Sequence, residues 1–190
     1  MNTLNKFDET VGIFPSALTS EFCKELVELF EDPGSQKLAD PGSTIGGHDE
    51  EVKNTLDLNI LGRSVFDKFT NELARASNLN IEKYIWQWDN PDDPKFDSDL
   101  LFGSDGTHYP IWNVQKYAKG KGHYIGNHCE SMAAQRVRDG KHYRIMTSMF
   151  YLNDVEEGGE TCFPYSGLKV APKVGTFLCC PASWPWVHSG

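Results

Sequence analysis

The chain has 190 residues, enough for one domain with a buried core, and a formal net charge of −9. That charge argues against a nucleic-acid or anionic-membrane binder, because phosphate contacts need clustered basic residues. No run of about 18 apolar residues occurs, and the start Met1–Glu9 lacks the basic and apolar regions of a signal peptide, so neither a membrane span nor a leader is expected.

In chain order, Val11–Pro15 reads as a short strand ending at a turn. Thr19 is placed to cap a helix carrying Glu21 in its first turn, with Phe22, Leu26, Leu29 and Phe30 at helical spacing and Pro33-Gly34 ending it. Residues 32–50, with four glycines and two prolines, read as a loop. A second helix is expected over about Leu61 to Ser77, with Val65, Phe66, Phe69 and Leu73 lining its buried side.

After Asn78 the pattern changes. Tyr84–Trp88 alternates as a strand does, and Asp89, Asp92, Asp93, Asp97, Asp99 and Asp105 crowd an acidic loop that mildly favours a neutral or basic substrate. Ile111–Tyr117, Tyr143–Leu152, Leu168–Ala171 and Thr176–Cys180 are further β-like runs separated by turn signals. Helices followed by many short strands predict an α+β fold, mainly β, with N-terminal helices packed on one side of an antiparallel sheet or sandwich. The chain is read as a single domain, 1–190, helical over about 1–80 and β-rich over about 81–190. Its five cysteines are odd in number and contain no Cys-x-x-Cys pair, which fits free thiols in a reducing cytoplasm.

The chemistry-bearing residues lie in the second half. On a strand His128 and Glu130 point the same way while Cys129 points elsewhere, so the two can grip one ion. A third ligand must come from another strand; His188, with Trp184 and Trp186 as a dry wall, is the best candidate. Two histidines and a carboxylate on one face of a metal leave the opposite face open, the ligand set of non-heme Fe(II) oxygenases. The set also suits catalytic zinc, but no His-Glu-x-x-His helix accompanies it. His48, His108, His123 and His142 lack a partner at ligand spacing, His123 being the nearest decoy.

Three further stretches carry a resemblance. Gln115-Lys-Tyr117 with Gly120, Gly122 and Tyr124, then Arg144–Pro164 with its Tyr151-Leu-Asn153 and Glu157-Gly-Gly-Glu160, then Val170–Leu178, are together similar to the prolyl 4-hydroxylase-like branch of the Fe(II)/2-oxoglutarate dioxygenases. The resemblance runs from about Val114 to Gly190 and is far weaker over Phe14–Leu29. It implies a double-stranded β-helix, or jelly-roll, with His128, Glu130 and His188 as iron ligands, the glutamate replacing the branch's usual aspartate. It implies 2-oxoglutarate and O2 as cosubstrates, ascorbate as an accessory, and hydroxylation of a prolyl or other peptide side chain or a small molecule with release of succinate and CO2.

The same resemblance makes Tyr117 and Tyr124 lining residues of the cosubstrate pocket, with Thr147 a further candidate. Trp86, Trp88, Tyr109 and Trp112 could line a substrate groove or pack in the core. In the family a Lys or Arg past the distal histidine grips the far carboxylate of 2-oxoglutarate, and no residue here matches it. The expectation is therefore that the jelly-roll lacks its last strand, the 190 residues being part of a longer chain, or that Lys173 or Arg144 substitutes. The alternative is a catalytically silent jelly-roll that binds a ligand or partner. A bacterial or phage-type cytoplasmic protein is the setting these features suit.

Overall fold

The computed structural model describes residues 10–44, 46–87, 112–130 and 144–190. The described elements are, in chain order, β1 (Gly12–Phe14), α1 (Ser20–Glu31), α2 (Pro33–Gln36), β2 (Asp40–Pro41), β3 (Lys53–Asn54), β4 (Leu56–Asn59), α3 (Asp67–Trp86), β5 (Asn113–Lys116), β6 (His123–Tyr124), β7 (Met146–Phe150), β8 (Thr161–Phe163), β9 (Leu168–Val170) and β10 (Phe177–Pro181).

Helix α1 starts where the Thr19 hydroxyl accepts the N–H of Phe22 at 3.1 Å, satisfying one of the helix's unpaired donors. Cys23, Leu26 and Phe30 form its buried face. Asp32 then turns extended and caps α2 by accepting the Gly34 N–H at 2.8 Å, with Pro33 in the first turn. The segment expected to be a plain loop, 32–50, thus holds a helical turn and strand β2.

Two expectations about the second helix are corrected. A 3-10 turn, Ser64–Phe66, precedes α3, and Val65 is 58% exposed instead of packed. The expected strand at 84–88 does not exist over its described residues, because Tyr84 to Trp86 complete α3. Ala76, Ser77, Asn80, Ile81 and Tyr84 keep a buried stripe at helical spacing, and Tyr84 donates its hydroxyl to the Thr10 carbonyl at 2.7 Å. Packing of that stripe overrides the local alternation.

Among the described residues all strand pairs are antiparallel: β1-β10-β7 and β2-β4-β5 form three-stranded sheets, and β3-β6 and β8-β9 form two-stranded ladders. The last residues join the two ladders. Gly190 exchanges main-chain hydrogen bonds with Tyr124, His188 with His128, and Ser189 with Cys162.

Strand β10 shows how the layers are built. Phe177 and Cys179 face Ile81 and Tyr84 of α3, while Leu178 and Cys180 face Phe163 and Val170 of the β8-β9 ladder. A larger cluster, including Leu26, Phe30, Phe66, Phe69 and Leu73 with Leu58, packs the helices against β4. The described residues are thus mixed helix and antiparallel sheet, with α1 and α3 packed against β4 and α3 also against β10. At the entry to β10, Gly175 adopts φ +75°, and a Cβ there would lie 2.2 Å from the Leu18 carbonyl oxygen, so only glycine fits. All five cysteines are free, and no helix among the described residues is long and apolar enough to cross a membrane.

Candidate metal centre

His128 and His188 arrive from distant parts of the chain as one cross-strand pair. The His128 N–H donates to the His188 carbonyl at 3.0 Å, and the His188 N–H returns the bond at 2.9 Å. Residue 128 thus sits in an isolated bridge and not in the longer strand that the alternation suggested. One ligand atom from each of His128, Glu130 and His188 lies within 4.8 Å of the others. The structure brings these three together.

Each imidazole is oriented by the carbonyl two residues before it. The Nδ1 of His128 meets the Gly126 carbonyl at 2.7 Å, and the Nδ1 of His188 meets the Trp186 carbonyl at 3.1 Å. With Nδ1 as donor, Nε2 carries the lone pair on both rings, which is what a metal-binding imidazole requires. Desolvation by burial pushes the His188 pKa down, the Trp186 carbonyl opposing, and so favours the neutral ring. The Glu130 pKa is lowered to about 2, first by the hydrogen bond that a protonated His128 ring gives it, with Arg144, His128 and His188 adding charge attraction against its burial; that proton and a metal ion are alternatives at the His128 Nε2. Its carboxylate is therefore ionised across the neutral range. Two imidazoles and one carboxylate are a donor set that fits an iron or zinc ion.

The wall around the trio differs from the expected one. Tyr124 stacks on His128, with ring centroids 4.1 Å apart and planes at 16°, and Phe163 tilts against His188 at 5.7 Å. Trp184 is 69% exposed and pairs with Tyr165, while Trp186 packs against the cluster of Val11, Phe163 and Val170 and donates its indole N–H to Thr10 at 2.6 Å. Phe163 was not singled out from sequence; its place in Thr-Cys-Phe-Pro on a buried strand was the available signal.

The remaining predicted residues spread around this centre. Tyr117 lies just past β5 and is 43% exposed, yet its phenol end is desolvated; with Asp57, Tyr124 and Tyr151 nearby, its pKa is pushed up to about 12. The Tyr124 pKa is also raised, by desolvation and then by Glu130 and Asp57. Thr147 lies on β7 in register with Cys180 and makes no hydrogen bond to the trio among the described residues. Arg144 donates to Glu130, and Lys173 is exposed in the turn before β10. His123 turns Nδ1 to the Lys121 carbonyl and Nε2 to the Glu50 carbonyl, so neither nitrogen is free for a metal. His48 faces Gly42 and Glu50. His108, His142, Trp88, Tyr109 and the acidic loop from Asp89 to Asp105 lie outside the described residues. Trp112 packs on Phe150 as core, and Trp86 is 71% exposed at the end of α3.

One cation was missed. Lys53 is buried, its Nζ is 2.7 Å from Asp57 Oδ2, and it sits 5.2 Å from the centroid of the Tyr124 ring. Thr55, Asn113 and Gln115 also donate to Asp57. A lysine in a polar strand gives no sequence signal of burial.

The fold is that of prolyl hydroxylases. The viral collagen prolyl hydroxylase of Paramecium bursaria Chlorella virus-1, solved as its 2OG complex, matches with a TM-score of 0.59 at 19% identity, over 95% of this chain and 87% of that one. A Pseudomonas putida prolyl-4-hydroxylase matches with 0.60 at 14% identity, over 95% and 83%. A Trichoplax adhaerens prolyl hydroxylase, solved with a hypoxia inducible factor oxygen degradation domain peptide fragment, matches with 0.68 at 15% identity, over 98% and 79%. No family model and no curated relative matches the sequence.

Proposed function

We propose that this chain is an Fe(II)- and 2-oxoglutarate-dependent dioxygenase of the prolyl 4-hydroxylase-like branch, acting on a peptide side chain or a small molecule. The observation that carries this reading is the convergence of two imidazoles and one carboxylate, one ligand atom of each lying within 4.8 Å of the others. The likeness in fold to three prolyl hydroxylases supports it.

His128, Glu130 and His188 would hold the iron, leaving half of an octahedral shell open. Bound iron with 2-oxoglutarate and O2 would supply the oxidising chemistry, giving succinate, CO2 and a hydroxylated C–H bond. The chain's own contribution is placement. Tyr117, with its pKa near 12, and Tyr124, raised likewise, stay protonated and can donate to a carboxylate or keto oxygen. Thr147 is a third lining candidate. Phe163 keeps water from the His188 ring, and the neighbouring ladders and sheets are read as the facing halves of a jelly-roll spanning one domain. A peptide substrate is favoured by analogy with the Trichoplax complex, and the net charge of −9 suits a neutral or basic one. Free thiols suit a cytoplasmic setting.

The test is succinate formation with Fe(II), 2-oxoglutarate and ascorbate, screened over peptides and metabolites. Turnover must need both iron and 2-oxoglutarate and vanish in His128→Ala. A second reading, a silent jelly-roll that only binds, draws on the engagement of Glu130 by Arg144; failure to take up iron would favour it.

A further inference from the structure

The two oxygens of Glu130 have different neighbours. Oε1 lies 3.4 Å from Nε2 of His128, one of the two histidines it converges with. Oε2 accepts a hydrogen bond from Nη1 of Arg144. Arg144 comes from a different part of the fold: it precedes β7, and its neighbour Ile145 accepts the Ala182 N–H at 2.8 Å, tying that backbone to the end of β10. The guanidinium is thus delivered by the sheet, while the carboxylate is delivered by the segment after the His128–His188 pair.

We propose that Arg144 is a positioning residue that holds Oε2 of Glu130 and presents Oε1 alone to the metal. This inference rests on the metal reading above. Glutamate has one more rotatable bond than aspartate, so an untethered Glu130 could turn and offer both oxygens. Two-oxygen binding would use a position that the open face needs for a cosubstrate. Pinning one oxygen removes that freedom and keeps the site three-donor. An arginine suits the task because its planar fork fixes direction as well as charge, whereas a lysine supplies a point charge on a flexible stem.

A cation beside a metal site also acts in the opposite sense, since it repels a second cation through space. The two effects predict opposite outcomes when Arg144 is removed. If repulsion dominates, loss of the guanidinium tightens metal binding. If orientation dominates, as inferred here, it weakens binding.

The experiment measures Mn(II) affinity of the full 190-residue chain, by electron paramagnetic resonance of the free ion, with apoprotein melting recorded for each variant. Arg144→Gln should weaken Mn(II) binding about 10–100-fold, the usual effect of losing a group that orients a ligand, and Arg144→Lys should recover part of the loss. Glu130→Asp withdraws the carboxylate from the guanidinium, so adding Arg144→Gln to it should have little further effect. An equal loss in both backgrounds would mean that Arg144 merely supports the local fold, and unchanged or tighter binding in Arg144→Gln would also overturn the proposal. Wild-type chain that takes up no Mn(II) would overturn the metal reading and this inference together; uptake lost in His188→Ala but indifferent to Arg144 would overturn this inference alone.

Discussion

Tyr124 lies flat on His128, their rings 4.1 Å apart at the centroids and 16° from parallel, with the Lys53 ammonium 5.2 Å from the centroid of the tyrosine ring. The ring of one candidate ligand is therefore buttressed by a phenol, and the phenol in turn touches a buried cation. The other imidazole is backed by Phe163. Together with the carbonyls of Gly126 and Trp186, these contacts fix both rings without help from an ion.

Removing His188 should abolish metal uptake while leaving its backbone pairing in place. His188→Ala is expected to lower Mn(II) affinity by more than about 100-fold, beyond the loss of an orienting group. His123→Ala, whose ring nitrogens face carbonyls, should bind as the wild type does. Affinity measured by titration of apoprotein decides; retained uptake in His188→Ala would refute the site.

The Lys53–Asp57 pair predicts an asymmetry. Its side chains are 5% and 14% exposed. Asp57→Ala leaves the ammonium buried with no carboxylate partner and should cost about 3–5 kcal/mol. Lys53→Met leaves Asp57 with the Thr55 hydroxyl and the Asn113 and Gln115 amides, so its cost should be smaller, about 1–3 kcal/mol. Urea midpoints would show it, and equal costs would count against the network.

Gly175→Ala should be among the more disruptive small substitutions. It combines a left-handed backbone with a Cβ 2.2 Å from the Leu18 oxygen, at a residue that bonds both Tyr151 and Leu18 through its backbone. A loss of more than about 1–2 kcal/mol is expected. A stability within error of the wild type would show that the β10 entry can move.

Buried thiols set an alkaline limit. Burial pushes Cys179 and Cys180 up to about 12 from an ordinary 9.0, with Cys180 and Glu130 respectively adding to it. The folded state holds these protons after the unfolded state has released them. The stability they contribute is fully present below pH 9.0 and declines as the pH rises toward 12. In the native chain a thiol reagent near neutral pH should reach the partly exposed Cys129 and Cys162 well before Cys23, Cys179 and Cys180. Uniform labelling would contradict the burial.

The sequence was most readable where one local signal coincided with packing. Thr19 followed by an apolar stripe specifies α1, and the β-like runs at 168–171 and 176–180 become β9 and β10 within a residue or so at their ends. It misled at Tyr84–Trp86, where alternation of large residues looks like a strand but Ile81 and Tyr84 bury at helical spacing against β10. It was silent at 53–59. There Leu56 and Leu58 face the helices while Thr55 and Asp57 feed a polar cluster, so the buried interior on that side is hydrophilic. The convergence of His128, Glu130 and His188 was readable because the residue types name their chemistry. The supporting carbonyls, Phe163 and Lys53 were not, since nothing in a side chain's identity announces which backbone oxygen or ring will lie beside it.

The ladder joining positions 128 and 188 has an engineering consequence. Main-chain groups, available to any residue except proline, keep those two sites adjacent, so either ring could be traded for a sulfur donor without unpicking the strands. Such a swap would tilt the preference toward softer ions such as zinc or cuprous copper. The scaffold is in effect a socket whose pins can be changed one at a time.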